Sequence, residues 1–275
     1  MIRLVEHRTA SAAPQAAVPS FPDGSVDLSF VFVTYGTGPI VVDAIAALVS
    51  SLAETDHRYD VVVVDNAHDA YPTRSRNELA LATSGVRLLT TGRNLGFAGG
   101  CELGALHAAG RVLVFVNPDL VVSAGWIDPL LARLAAGASI VAPVLLNDDG
   151  SVQEAGSRLW ADGSTSQIAE LLPDSPIVSD YASAACWLVT RDEHERLGGF
   201  DPGFHPAYYE DVDLALRTRA AGGRFEVATE VSVVHHHGQG TGDAVAPDTS
   251  EQRDRLLDRH PSIRWMQPAR PDAIR

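Results

Sequence analysis

One short segment, Val112–Asp119 (VLVFVNPD), constrains the fold of this chain more than any other. A short apolar run rich in β-branched residues that ends abruptly in turn formers is typical of a fully buried strand in a parallel sheet. In open α/β sheets ligands bind beyond the carboxyl ends of the strands, so Asn117 and Asp119 are expected at the floor of a crevice. A carboxylate presented there suits a divalent cation that bridges phosphate oxygens. The alternative is an Asn-Pro-Asp turn that only begins the next segment.

Further apolar runs alternate with helical spacing on both sides of this segment. Strands are predicted at Leu28–Thr34, Tyr59–Asp65, Val86–Thr90, Ile140–Pro143, Tyr181–Thr190 and Phe225–Val234, the last as one or two segments. Helices are predicted at Pro39–Leu52, Ala98–Ala109, Trp126–Ala136, Asp192–Leu197, Val212–Ala221 and Thr249–Asp258. This alternation predicts an α/β fold with a Rossmann-like, mostly parallel central sheet flanked by helices.

Changes in composition indicate where the main domain begins and ends. Residues 1–25 are rich in Ala, Pro and Ser without a clear period, which predicts a flexible N-terminal segment. The main domain is expected over residues 26–242, and its turn-rich stretch Leu145–Pro176 is predicted to be an insertion, a hairpin and loop near the crevice. Residues 243–275 are predicted to form a tail with one short helix that either packs on the domain or gates the site.

Composition and charge argue against several classes of protein. With 275 residues, 45% of them hydrophobic, the chain is long enough to bury a sizeable core. Its formal net charge of −14 argues against nucleic acid as a partner and weakens electrostatic docking on an anionic membrane. The two cysteines stand in apolar contexts, so a reduced, cytoplasmic protein is expected. No apolar run is long enough to span a bilayer and the N-terminus is not typical of a signal peptide, which leaves peripheral membrane contact open.

Two common nucleotide-binding motifs are missing at the places where this fold would carry them. After the first strand of the main domain the chain continues TYGTGP, which lacks the third glycine of the dinucleotide fingerprint. The Gly-Lys-Ser/Thr loop of P-loop proteins is also absent from the sequence. What remains is a candidate nucleotide site built from polar residues at strand ends, namely Thr34, Tyr35, Asp65, Asn66, Asn117 and Asp119.

A glycine-rich loop, TGRNLGFAGGCELG, lies between the third of these strands and its helix. Its glycines, Gly96 among them, permit close approach of the backbone, the helix start offers amides, and Arg93 supplies a positive charge for a diphosphate. The alternative is a helix packed tightly on the sheet through small residues. That alternative accounts for the glycines but not for Arg93 and Asn94 beside them.

The densest acidic and aromatic cluster of the chain is HPAYYEDVDLALR. A carboxylate at this helix start, beside aromatic residues that exclude water, could act as general base toward a hydroxyl. The alternative is helix capping by solvated acids, including an Asp213–Arg217 pair one turn apart. The run His235–His237 similarly either forms an exposed polar loop or completes the coordination of a metal held by Asp119.

Taken together, these motifs resemble a known family. The ordered set VVDNA, RNLGFAGG, VNPDL, GGFDPGFHPAYYEDVDLALR and VVHHHGQGTG is similar to the family 2 inverting glycosyltransferases of GT-A-type fold, in particular the rhamnosyltransferase-like branch. The resemblance covers residues 28–242. It implies that residues 26–143 form the nucleotide-sugar-binding half and that residues 144–242 form the acceptor and catalytic half.

The resemblance also implies roles for individual residues. In the donor site, Asp65 and Asn66 would hold the base and ribose, and Arg93, Asn94 and Gly96 would line the donor, with Thr34, Tyr35 and Asn117 alongside. Asp119 would ligate Mg²⁺ or Mn²⁺ as the last residue of a DxD-like motif. His235 would stand near the metal, although His236 or His237 could take that place. Asp211 would be the catalytic base, with Glu210 beside it in the catalytic set.

Two positions depart from the family pattern. The family often has Asn in the turn after the first strand, where this chain has Gly36, so one donor contact would be missing or made by backbone. The DxD-like motif begins with Asn117, which leaves Asp119 as its one carboxylate and implies weak or donor-assisted metal binding.

The expected function is therefore inverting transfer of a sugar from a nucleotide-diphosphate donor, dTDP-rhamnose or a UDP-sugar, to a hydroxyl of a glycan, lipid-linked or natural-product acceptor. A catalytically inactive nucleotide-sugar-binding or regulatory homologue is the alternative, although such a protein has no need of a base. A sugar-1-phosphate nucleotidyltransferase would need a basic residue in the glycine-rich turn after the first strand, and TYGTGP has none. The sequence leaves a homodimer open.

Overall fold

The fold comes from a computed structural model that describes residues 25–37, 40–66, 85–171, 177–236 and 248–266, and the backbone alone of residues 3–5. The strands are β1 (Arg3–Val5), β2 (Leu28–Thr34), β3 (Tyr59–Asp65), β4 (Arg87–Thr90), β5 (Val112–Val116), β6 (Leu120–Val121), β7 (Ile140–Leu146), β8 (Val152–Glu154), β9 (Ser157–Leu159), β10 (Thr165–Gln167), β11 (Cys186–Thr190) and β12 (Phe225–His235). The helices are α1 (Ile40–Ser51), α2 (Gly96–His107), α3 (Ile127–Ala135), α4 (Arg191–Leu197), α5 (Glu210–Ala220) and α6 (Ser250–Arg259), followed by a short 3₁₀ helix, Pro261–Trp265.

A single large sheet forms the centre of the molecule. Its strand order is β1-β4-β3-β2-β5-β11-β7-β12-β6, and β8 pairs with β7 beside this path. Strands β4, β3, β2 and β5 run parallel, as do β7 and β12, while β11 runs antiparallel between β5 and β7. The prediction of an α/β, Rossmann-like fold is confirmed, with the antiparallel β11 as a refinement.

The two faces of the sheet are both covered, which explains why its strands are apolar throughout. Because side chains alternate along a strand, Phe30 and Phe32 of β2 belong to one core cluster, whereas Val31 and Val33 belong to the other. Helices α1 and α3 contribute apolar residues to the first cluster, and α2 and α5 contribute to the second. Burial on both faces produces the continuous apolar runs seen in the sequence.

The predicted strand Tyr181–Thr190 is shorter in the structure. It begins at Cys186, because the preceding residues leave the sheet to pair with the insertion: the Ser157 amide donates to the Tyr181 carbonyl at 2.7 Å. Within the described part of the insertion, β8 joins the main sheet and β9 and β10 form a separate antiparallel hairpin. The predicted hairpin is therefore present, and residues 172–176 of the insertion lie outside the described residues.

The C-terminal segment packs on the domain. Leu256 of α6 and Ile263 of the 3₁₀ helix are almost fully buried in the second core cluster. In α5, the buried Asp213 carboxylate pairs with two residues of the tail. Its Oδ1 lies 2.8 Å from His260 Nε2 and 3.0 Å from Arg259 Nε. Of the two alternatives for this tail, the structure shows packing.

At the N-terminus, within the segment predicted to be flexible, the backbone of Arg3–Val5 pairs antiparallel with β4. The other residues from 1 to 24 lie outside the described part. Both cysteines, Cys101 and Cys186, are free and buried. Among the described helices, none is long and apolar enough to cross a membrane.

Candidate active site

Parallel strands bring the predicted donor residues to one edge of the sheet. Thr34 and Asp65 are paired in register at the ends of β2 and β3, and the Thr34 hydroxyl lies 3.5 Å from Asp65 Oδ1. Both side chains are largely buried. Asn117 follows β5 at the same edge, where its amide donates to the Ala185 carbonyl at 2.8 Å. The sheet therefore gathers side chains from distant parts of the chain, as the strand-end pattern predicts.

Asn66 holds the glycine-rich loop in place. Its side chain is almost fully buried, its Nδ2 donates to the Gly96 carbonyl at 2.9 Å, and its Oδ1 accepts from the Leu95 amide at 3.4 Å. The Thr91 hydroxyl contacts the Arg93 carbonyl of the same loop at 2.7 Å. These contacts give Asn66 a clear structural role beside the donor contact expected of it.

Small residues of the glycine-rich loop allow close packing in two directions. A Cβ at Gly100 would stand 2.6 Å from Val33 Cγ1 of β2. Gly96 has a φ of 74°, and a Cβ there would stand 2.7 Å from the Pro206 carbonyl oxygen. The tight-packing alternative is thus correct for these glycines, and the loop also touches the segment that leads into α5.

The amides at the start of α2 have partners within the chain. Gly96 N–H donates to Asn94 Oδ1 at 2.8 Å, and Phe97 N–H donates to the Pro206 carbonyl at 2.7 Å. Of the amides that were expected to face a diphosphate, that of Phe97 is therefore used to dock Pro206, and that of Gly96 is used within the loop. The side chain of Arg93 is exposed, as a donor contact would require.

Asp119 and His235 meet although they lie far apart in the chain. His235 ends β12, and its Nε2 lies 3.3 Å from Asp119 Oδ1, with both side chains largely buried. The pairing of β12 with β6 produces this contact, because His235 stands opposite Leu120. The His236 amide adds a hydrogen bond to the Asp119 carbonyl at 3.0 Å.

Gln153, from the insertion, fixes the orientation of the His235 ring. Its Nε2 donates to the His235 carbonyl at 3.2 Å and to Asn147 Oδ1 at 3.1 Å, so its Oε1 faces His235 Nδ1 at 2.7 Å. An amide oxygen only accepts, so Nδ1 carries the proton, and Nε2 is the ring nitrogen that faces Asp119. A histidine whose Nδ1–H is held by an outer partner in this way would ligate a metal through Nε2.

The donor chemistry of this pair fits a divalent ion. One carboxylate oxygen and one imidazole nitrogen leave the remaining coordination positions to phosphate oxygens and water, which suits Mg²⁺ or Mn²⁺. Among the described residues, no group of three or more His, Cys, Asp or Glu side chains forms a metal cluster. His236 instead places its Nδ1 2.5 Å from Asp148 Oδ1, and His237 lies outside the described residues.

Asp211 lies in the first turn of α5, and the two residues before this helix have a strained backbone conformation. Tyr208 and Tyr209 both have positive φ, 78° and 69°, which non-glycine residues rarely adopt. Asp211 Oδ1 accepts from the Val212 amide at 2.8 Å and Oδ2 accepts from the Ala184 amide at 3.4 Å. Burial, together with the nearby Glu154 carboxylate, raises the pKa of Asp211 to about 7.

Glu210 differs from Asp211 although the two are adjacent. Its side chain is almost fully buried, and burial together with the charge of Asp211 raises its pKa well above the usual range. Burial, with the charges of Glu102 and Glu210, raises the pKa of the Cys101 thiol on α2, so Glu210 is close to the interior between the two helices. Asp213 is buried as well and pairs with Arg217 at 2.8 Å, in agreement with the structural alternative for that acid.

Glu154 is a site residue that sequence reasoning missed. It is 2% exposed, it accepts from the Ser157 hydroxyl at 2.9 Å and the Ser183 amide at 2.8 Å, and burial raises its pKa. It lies in a turn-rich insertion without regular periodicity, and no local signal marks Glu154 or Gln153 as part of the site.

Two cavities adjoin the Asp119–His235 pair. One, of about 350 Å³, is lined by Asp119 together with residues of α1 and with His236. The other, of about 400 Å³, is lined by His235, Asp211 and residues of the insertion. The contact between Asp119 and His235 therefore stands between two spaces of ligand size. Glu210 lines neither cavity.

Comparisons with known proteins show the family of this chain. The family model for glycosyl transferase family 2 matches residues 29–195. An N-acetylglucosaminyl-diphospho-decaprenol L-rhamnosyltransferase of Mycobacterium tuberculosis is 30% identical, over 88% of this chain and 88% of that protein.

Solved structures show the same fold. GalNAc-T7, crystallised with UDP, GalNAc and Mn²⁺, superposes with a TM-score of 0.66 at 15% identity, over 86% of this chain and 49% of that chain. Residues 1–349 of S. aureus TarS, in complex with UDP-GlcNAc, superpose with a TM-score of 0.58 at 14% identity, over 84% of this chain and 65% of that chain. The chain thus spans about half of the first structure and about two thirds of the second. Since the family model covers more than half of the chain and a relative aligns along most of both sequences, the protein belongs to glycosyl transferase family 2 and is a nucleotide-sugar glycosyltransferase of GT-A fold.

Proposed function

We propose that the protein transfers a sugar with inversion of configuration, using Asp211 as the general base. The observation that carries this proposal is the position of Asp211, which lines the same cavity as His235 while His235 contacts Asp119. A base must reach the acceptor hydroxyl while the leaving group stays near the metal ligands, and this layout provides both positions.

The chemistry follows from the environment of the carboxylate. Two backbone amides fix the orientation of Asp211, and a pKa of about 7 makes it a stronger base than an ordinary aspartate while it is still partly ionised at neutral pH. Asp211 would accept the proton of the acceptor hydroxyl as the oxygen attacks the anomeric carbon. A single displacement of this kind inverts the configuration of that carbon.

On the donor side, Asp119 and His235 would hold Mg²⁺ or Mn²⁺, with Gln153 keeping the imidazole in the ligating tautomer. When bound, the ion would supply positive charge for the departing diphosphate. Arg93 is exposed and would add a second positive charge on that side. The predicted contacts of Thr34, Tyr35, Asp65 and Asn66 with the nucleoside remain part of this proposal, as does Asn117.

The relatives suggest which substrates to try first. The mycobacterial relative is named as an L-rhamnosyltransferase acting on a lipid-linked sugar, which favours dTDP-rhamnose and a lipid-linked glycan. The complex of TarS with UDP-GlcNAc favours UDP-sugars as the next donors. Natural products are the further class of acceptor in this proposal. A homodimer is also part of it. The reduced state of the two buried cysteines supports a cytoplasmic location.

Thermal shift with a panel of nucleotide-sugars, each with and without Mn²⁺ or Mg²⁺, tests the donor side, because a ligand stabilises the fold according to its concentration relative to its Kd. The active donor is then supplied with acceptor glycosides, and the product's anomeric configuration is read by NMR. We expect metal-dependent stabilisation by one donor and an inverted product. Retention of configuration, or stabilisation by no nucleotide-sugar, would contradict the proposal.

A further inference from the structure

Tyr208 is a large aromatic side chain that the fold leaves exposed beside the candidate base. It is 47% exposed, it lines the larger cavity together with Asp211, and its φ of 78° is unfavourable for a tyrosine. Its hydroxyl makes no hydrogen bond to another described residue. A strained conformation that presents an aromatic ring to a cavity suggests a role in binding.

The next residue, Tyr209, is anchored in the fold at both its hydroxyl and its ring. Its hydroxyl donates to the Gly163 carbonyl at 3.0 Å, and its ring packs against the second core cluster. Left-handed backbone at two consecutive non-glycine residues is unfavourable, so the surroundings must hold it in place. With Tyr209 anchored in this way, the chain presents Tyr208, three residues before Asp211, to the cavity. Helix α5 then begins at Glu210.

The β9–β10 hairpin supplies a polar wall of the same cavity. Thr165, Ser166 and Gln167 of β10 all line it. The hairpin is fixed from several sides: Trp160 Nε1 donates to Ser166 Oγ at 3.1 Å, and Gln167 Nε2 lies 3.5 Å from Glu154 Oε2.

The C-terminal helix supports the turn of this hairpin. At Gly163, a Cβ would stand 2.9 Å from Arg253 Cγ and 3.2 Å from a Leu257 side-chain carbon of α6. Thr249, just before α6, lines the cavity itself. The polar wall is thus preorganised by packing, which lowers the entropy lost when a ligand binds.

We propose that this cavity is a subsite for a sugar ring of the acceptor, stacked on Tyr208 and hydrogen-bonded by the β10 side chains, with one ring hydroxyl directed at Asp211. The assignment rests on the transferase function proposed above and names its acceptor class as a glycoside. A sugar has apolar C–H faces and a rim of hydroxyls, which match one aromatic face beside hydroxyl and amide groups. A purely apolar alcohol would use only its hydroxyl, opposite Asp211, and would leave the polar β10 wall without ligand hydroxyls to bind.

Ligand-observed saturation-transfer NMR tests this subsite directly. The probes are methyl N-acetyl-β-D-glucosaminide and methyl α-L-rhamnoside, and a hexapeptide containing Ser and Thr serves as the non-sugar comparison, all with dTDP and Mg²⁺ present. The variants are Tyr208→Ala and Tyr208→Phe. Trp265→Ala is the matched control, because Trp265 is 90% exposed and does not line the cavity.

We expect at least one glycoside to bind, about tenfold more weakly to Tyr208→Ala, and within about twofold of the original affinity to Tyr208→Phe, since the phenyl ring keeps the stacking face. The Trp265→Ala control should bind normally. The subsite is contradicted by unchanged binding in Tyr208→Ala, by an equal loss in Tyr208→Phe, or by binding of the peptide without any glycoside. Thermal melting and the donor-induced shift show whether each variant is folded.

Failure of the transferase proposal gives a different result. In that case no nucleotide-sugar would stabilise the wild-type protein, whereas the glycoside measurement would still report on Tyr208. A wild-type protein that binds a donor but no glycoside would overturn the subsite alone.

Discussion

The two halves of the molecule treat their polar groups differently. In residues 26–143, the proposed nucleotide-binding half, the strand-end residues bond to one another and to the glycine-rich loop, with Asn66 at the centre of these contacts. In residues 144–242, the proposed acceptor half, the carboxylates of Glu154, Glu210 and Asp211 are held in surroundings that raise their pKa values. The first half uses these polar groups to join the strand ends to the loop, although burial raises the pKa of Asp60 there as well. The second half has three carboxylates with raised pKa values, of which Glu154 and Asp211 line a cavity.

Backbone geometry follows the same division. The described residues with positive φ other than glycine are Tyr208 and Tyr209, both in the acceptor half and both next to the candidate base. Strain of this kind persists only where surrounding contacts enforce it, and it is concentrated at functional sites in proteins. The hydrogen bond from the Phe97 amide to the Pro206 carbonyl joins the regular half to the segment that leads into this strained turn.

The largest effect is expected at Asp211. Asp211→Asn keeps the shape of the side chain but removes the proton acceptor, so transfer should fall by about 10²- to 10⁴-fold. Donor affinity should stay nearly the same, because Asp211 does not contact the Asp119–His235 pair in any described hydrogen bond or ion pair. Steady-state kinetics with a donor titration measure both quantities, and unchanged turnover would rule out the assignment.

The second effect concerns the metal ligands. Asp119→Ala should abolish the part of donor binding that depends on Mg²⁺ or Mn²⁺, since one of the two proposed protein ligands is lost. Calorimetric titration of the donor with and without metal measures this difference. Undiminished affinity in the presence of metal would count against Asp119 as a ligand.

A smaller effect is expected at Gln153, which orients the proposed metal ligand His235. Gln153→Leu removes the hydrogen bond to His235 Nδ1 and should weaken metal affinity by about 10- to 100-fold, the usual loss when an outer partner is removed. Gln167→Leu is the matched control, because Gln167 lines the same cavity without touching His235. Equal losses in both variants would mean that the effect is a general disturbance of the insertion.

In the nucleotide-binding half, the expected effect is on stability. Asn66→Ala leaves the Gly96 carbonyl and the Leu95 amide without their side-chain partner, which typically costs about 1–3 kcal/mol of unfolding free energy. Urea denaturation measures this loss. A variant as stable as the wild type, with weaker donor binding alone, would show that Asn66 acts on the ligand rather than on the loop.

Local periodicity was sufficient to predict the regular half. Strands β2 and β3 have the predicted bounds, and β4 differs by one residue, because continuous apolar runs between turn formers depend on local sequence. Asn117 and Asp119 could be placed at the sheet edge by the same reasoning, since both follow β5 and parallel strands end at the same edge of a sheet.

The acceptor half could not be predicted in the same way. The contacts of Gln153 with His235 and of Glu154 with Ser183 join residues far apart in sequence, and polar turn-rich segments carry no periodicity that reveals such partners. The antiparallel direction of β11 is likewise set by the path of the insertion and not by its own apolar sequence. The burial of Asp213 against His260 depends on where the tail packs.

The smallest expected effect is on the pH dependence of stability, and it comes from the same raised pKa of Asp211 that serves its proposed role as a base. Because its pKa is raised to about 7, the native state keeps a proton that the unfolded chain releases above the ordinary aspartate range. Stability should therefore fall as pH rises toward 7 and level off above it, while the base becomes active over the same interval. Asp211→Asn lacks this contribution and should melt about 2–4 °C higher than the wild type at pH 8, with no difference near pH 4. Since Asp211 opens onto the cavity, solvent moderates the cost and keeps the shift small. Calorimetric scans of both proteins at pH 4 and pH 8 measure the difference in melting temperature. If that difference were the same at both pH values, the titration of Asp211 would not be its cause.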